Sequence, residues 1–88
     1  MDLQLFAEKD IKNQESNSLK RGIRNYQKRI TEHQNKIDNP QRYIQDWGSK
    51  DIREQNRIIK HWSKEIKNFN RSINDRIDEL KKRGDYDE

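Results

Sequence analysis

Eighty-eight residues, 27% hydrophobic and 41% charged, cannot enclose a large core, so part of the burial is expected to come from association between chains. The absence of cysteine excludes a disulfide framework, a thiolate nucleophile and a Cys-based zinc site, and no apolar run approaches the roughly 20 residues that span a bilayer. The net charge of +4 is uneven: residues 17–36 carry six Lys or Arg against one acid and residues 52–72 carry six against two, while both ends of the chain are acidic.

In chain order, Leu3, Leu5, Phe6 and Ala7 form an apolar cluster ahead of a polar stretch from Lys9 to Ser18. Residues 1–16 are therefore expected to be a flexible tag and linker, mobile or removed as far as about residue 14. Ser16-Asn17-Ser18 offers side-chain acceptors for a helix start, and a seam of Leu19, Ile23, Tyr26, Ile30, His33 and Ile37 follows with the spacing of a heptad repeat. Gly22 interrupts this helix and marks either a close approach or nothing. Asn39-Pro40 ends it.

Pro40 is placed to open a short helix carrying Tyr43, Ile44 and Trp47 on one side, a plug for the end of a hairpin. Gly48-Ser49 closes that turn, and Ser49 or Asp51 can cap the next helix with Glu54 in its first turn. The stretch from Ile52 to Leu80 then places Ile52, Ile59, Trp62, Ile66, Phe69, Ile73 and Leu80 on one stripe, with Arg76 at the skipped position and Ile77 beside it. Two such seams around a bend predict an all-α antiparallel helical hairpin: helix about 17–38, short helix about 40–47, long helix about 50–82, the longer arm overshooting. Residues 17–84 are the domain and 85–88 an acidic tail; the seam is expected to self-associate as a homodimer or higher oligomer.

Leu3-Gln4-Leu5-Phe6-Ala7-Glu8 resembles the Leu-Gln-Phe-Phe-Ala signature that opens scaffolding and major capsid proteins of tailed phages from Gram-positive hosts. A bacterial large-subunit ribosomal protein shares it. Leu5 stands where the signature has its first Phe, and the basic lead-in is reduced to Met1-Asp2. The resemblance implies trimming by a dedicated cysteine protease at the Phe6–Ala7 bond. A longer pattern is Leu19-x3-Ile23, Ile30-x2-His33, Ile37-x-Asn39-Pro40-x2-Tyr43-x3-Trp47, Ile59-x2-Trp62-x2-Glu65-Ile66-x2-Phe69 and Arg83-Gly84. It is similar to a helical segment of small open reading frames and minor-head proteins of Gram-positive siphophages. That resemblance implies phage head proteins as partners and the host cytoplasm and the virion head as locations; no cofactor is expected.

Three function classes compete on these residues. Catalysis and metal binding fare worst: His33 lies on a seam, and His61 with Glu65 is an i,i+4 pair that lacks a third ligand or a pocket. DNA binding is the serious rival to head assembly. Lys20, Arg21, Arg24, Lys28 and Arg29 on the first helix, and Arg53, Arg57, Lys60, Lys64, Lys67 and Arg71 on the last, form rows that can follow phosphates, without a base-reading motif. A small inhibitor docking on a host protein through the same seam is the third alternative. The aromatics Tyr26, Trp62 and Phe69 fall on the seam rather than among the cations, which argues against a single-strand stacking platform.

Overall fold

Two heptad stripes interrupted by a proline fold back on one another. In the computed structural model, which describes residues 11–86, helix α1 (Ser16–Asp38) packs antiparallel against helix α2 (Ile52–Arg83), and no strand occurs among the described residues. The all-α hairpin expected from the periodicity is therefore the fold. The apolar cluster at Leu3–Ala7, the Phe6–Ala7 bond and residues 87–88 lie outside the described residues.

Several boundaries differ from expectation, each for a local reason. Ser16 does not cap α1: Glu15 holds the N-cap position in extended backbone without a side-chain cap, and the Ser16 hydroxyl donates instead to the Asp85 carboxylate. The expected short helix over 40–47 is replaced by two 3₁₀ turns, Pro40–Arg42 and Trp47–Ser49. Asp46 between them adopts φ 59°, a left-handed conformation that a short polar side chain tolerates and that no continuous helix can cross. Tyr43 is consequently half exposed, while Ile44 and Trp47 turn partly inward and Trp47 stacks on Trp62 at 6.4 Å.

Helix α2 is defined at both ends by its sequence. The Asp51 carboxylate accepts from the Arg53 N–H at 3.0 Å, which occupies one of the free donors of the first turn. At the other end Gly84 takes φ 75°; its N–H reaches the Lys81 carbonyl at 3.1 Å while the Asp85 N–H reaches that of Leu80 at 2.9 Å. This paired pattern closes a helix only where φ is positive, hence the glycine.

Residues 11–15, expected to be linker, are part of the packed structure. Ile11 is 6% exposed and joins Leu19, Ile23, Ile73 and Leu80 in one core cluster, flanked by Tyr26, Ile30, Ile77 and Tyr86. The Arg83 guanidinium holds the segment in place by donating to the carbonyls of Ile11, Lys12 and Gln14 at 3.1, 3.1 and 2.6 Å, with Glu79 accepting from its Nε. Charge-assisted bonds to three carbonyls give a short polar stretch a reason to dock that hydrophobic patterning does not display. Of the expected acidic tail over 85–88, Tyr86 flanks the same cluster and the exposed Asp85 accepts from Ser16.

At the opposite end α2 outruns α1. The register set by Gly22 against Arg76 and His33 against Glu65 places Asp38 near Lys60. The first turns of α2 therefore project beyond its partner, and Ile52, expected on the seam, is 64% exposed. The whole is a slab of 51 × 31 × 15 Å, and its thin dimension is close to the diameter of one helix with side chains, about 10–12 Å.

Candidate functional site

The seam residues do not share one environment. Leu19, Ile23, Trp62, Ile73 and Leu80 are buried, whereas Tyr26, Ile30, Ile37, Ile59, Ile66, Phe69 and Ile77 remain half exposed along a pair of helices, with no second layer over them among the described residues. Tyr26 and Phe69 meet across the pair at 5.8 Å between ring centroids. A domain normally closes its core between two packed layers, and the described residues supply a single one. The radius of gyration of 16.4 Å, against about 12 Å for a compact chain of this length, records the same incompleteness.

Midway along the seam the packing turns polar. His33, against whose ring Phe69 stands edge-on at 5.2 Å, directs Nε2 to one oxygen of Glu65 and Nδ1 to its own helix at the Arg29 carbonyl, 3.0 Å away. The second Glu65 oxygen meets His61 Nε2 at 2.6 Å. Both His33 nitrogens face acceptors, the Arg29 carbonyl and the Glu65 carboxylate. The His33 hydrogen bond, ahead of the opposing effect of burial and the smaller contribution of His61, holds the Glu65 carboxyl below its ordinary value. A clasp linking the helices and fixing their register is what this arrangement provides. Among the described residues no group of three or more His, Cys, Asp or Glu side chains converges to hold a metal ion.

The cationic rows lie away from the seam. Arg21, Arg24, Lys28 and Arg29 on α1 and Arg53, Arg57, Lys60, Lys64, Lys67 and Arg71 on α2 are exposed, with Lys20 half-buried. Among the described residues the ion pairs are His33–Glu65, His61–Glu65 and Arg83–Glu79, so none of these eleven cations has a carboxylate within ion-pair distance. The α2 row runs from Arg53 to Arg71, about 27 Å of helix. Its members recur every three or four residues, as a phosphate-following face requires.

Sequence reasoning missed Ile11, the Arg83 cluster and the Asp46 turn. Ile11 was visible only as a lone apolar residue in polar surroundings, and Arg83 gave no signal because carbonyl capture depends on where the chain returns. No helix among the described residues is long and apolar enough to cross a membrane. Comparison with protein-family models, with curated proteins and with solved structures gave no match.

Proposed function

We propose that this chain acts by association rather than catalysis, as a helical hairpin that pairs with a second copy and serves in assembly of a phage head or as a minor virion component. The observation that carries the reading is the single-layer slab with half-exposed Ile30, Ile37, Ile59, Ile66 and Phe69 along its middle. Face-to-face pairing of two hairpins supplies the second layer and closes a four-helix bundle. The phage context rests on the likeness of Leu3–Glu8 to capsid and scaffolding signatures. Sedimentation at micromolar concentration tests the association: a dimer or larger species is expected, with Ile66→Asp dissociating or unfolding it by burying a charge without a partner. A folded, cooperative monomer ends the proposal. Mass spectrometry of purified virions tests the context, through the presence of the polypeptide and the identity of its N-terminus.

A second reading is favoured by the unpaired cations: weakly selective binding to duplex DNA packaged with the genome. Affinity for a random duplex should then fall steeply from low to physiological salt, and Lys64→Glu with Arg71→Glu should abolish it. No binding at low salt, or binding untouched by the double substitution, leaves the rows as solvated helix faces.

A further inference from the structure

Arg76 is the residue the packing does not account for. It occupies an α2 seam position otherwise given to apolar side chains, and among the described residues its Nε is buried without a hydrogen-bond partner and no carboxylate pairs with it. Its Nη1 donates to the Ser72 carbonyl at 3.0 Å, and its guanidinium lies 4.8 Å from the centroid of the Tyr26 ring. Gly22 makes the position possible: a Cβ there would stand 3.0 Å from the Arg76 Nε. The close approach is therefore between a helix backbone and a cation, not between two helices packing tightly for their own sake.

Beside this guanidinium is an open cleft of about 190 Å³ lined by Gly22, Asn25, Tyr26, Arg29 and Arg76. The four α1 residues recur at i, i+3, i+4 and i+7 and so face the cleft from one stripe, with Arg76 closing it from α2. Two guanidinium groups and a carboxamide line it, and no acid does. Two like charges held at one cleft, one of them partly desolvated, repel each other until an anion enters, and forked guanidinium donors match tetrahedral oxyanions.

We propose that the Gly22–Arg76 cleft is a binding site for a phosphate group, with Arg29 and Arg76 as the charged donors and Asn25 as a neutral one. The site shares Arg29 with the α1 cationic row but is closed by Arg76 from α2, and it goes beyond association of the hairpin. The phosphate comes either from a free anion or from a nucleic-acid backbone, and the two are separable.

The test uses the full chain labelled with ¹⁵N and titrated at constant ionic strength, exchanging chloride for inorganic phosphate, and in a parallel arm adding a short random-sequence duplex. A saturable shift of the Arg76 Nε–Hε and Gly22 amide resonances is expected, weakened about tenfold or more in Arg29→Gln. Arg29 is exposed and its side chain has no carboxylate partner among the described residues, so this variant should keep the wild-type melting temperature in chloride and remain interpretable even where Arg76→Met fails to fold. A response to phosphate identifies a free anion as ligand, and a response to duplex alone identifies the phosphodiester. No saturable response in either arm, or an Arg29→Gln response equal to wild type, overturns the proposal.

Discussion

The two ends of the hairpin are held together by different physics. At the bend, residues 39–51 connect the helices directly, and closing so short a loop costs little entropy. That end carries little burial beyond Trp62, and Tyr43 and Ile52 stay exposed. At the other end the chain offers no connection: Ile11 and Ser16 meet Arg83 and Asp85 across 67 to 72 positions of sequence. There the fully buried Leu19 and Leu80 lie, with the Ile11–Ile23–Ile73 cluster around them. Non-covalent contact is concentrated where covalent connection is missing, and the exposed apolar surface is left where the loop already enforces proximity.

The largest expected effect tests that division at its centre. Leu80→Ala removes a side chain with no solvent exposure and should cost about 2–5 kcal/mol in urea unfolding, the usual range for a core leucine that leaves a cavity. A loss below about 1 kcal/mol would mean that the terminal end is not the stabilising one.

Next comes Arg83→Met, which keeps the aliphatic stem and removes the donors to Ile11, Lys12 and Gln14. Bonds from a charged donor contribute about 1.5–3 kcal/mol in favourable cases, and Arg83 is partly exposed, so a loss of about 1–2 kcal/mol is expected. Hydrogen exchange should accelerate at Gln14, whose N–H donates to the Ile11 carbonyl, and at Leu19, whose N–H donates to that of Glu15, before it does along the middle of α2. Equal acceleration at both ends would refute a locally anchored segment.

How much of this was legible beforehand follows from the same contrast. The seams were readable because a heptad repeat is a one-dimensional signal, and Leu19, Ile23, Trp62, Ile73 and Leu80 are buried on the side the spacing implies. Pro40 and Asp51 were equally readable, since backbone restriction and capping act within a few residues. The docking of Ile11 was not, because it depends on carbonyls captured by an arginine some 70 positions away. The bend was misread for the opposite reason: favourable local helix chemistry from Pro40 to Trp47 was overridden by a single left-handed Asp46. Ile52 satisfied the periodicity yet had no opposing helix to bury it, because a repeat defines a face and not the length of its partner.

Between the two ends lies the His33–Glu65–His61 clasp, which should respond to acid. The folded-state pKa of Glu65 is below its ordinary 4.5, so the ionised carboxylate contributes stability above that value and the contribution disappears as pH falls through the lower, folded-state value. Glu65 is about a third exposed, so solvent screening keeps the effect small. Glu65→Gln should flatten the decline of melting temperature below pH 4.5 without altering the Leu80→Ala loss, the two sites being far enough apart for independence. An unchanged acid limb in Glu65→Gln would assign the decline to other carboxylates.

The smallest effect is expected at the bend, where Ile52→Ala truncates a side chain 64% exposed and should change the stability of the isolated hairpin by less than about 0.5 kcal/mol. Its value lies in the dependence on protein concentration. If a second copy covers only the middle of the slab, the small effect persists from dilute to concentrated solution. If the projecting turns of α2 also enter the interface, Ile52→Ala should become more costly as concentration rises, because stabilisation by a binding partner grows with the logarithm of its concentration relative to Kd. Denaturation series at two concentrations a hundredfold apart separate these outcomes, and a cost above about 1 kcal/mol at the dilute limit would show that the bend end is stabilised by packing within the chain after all.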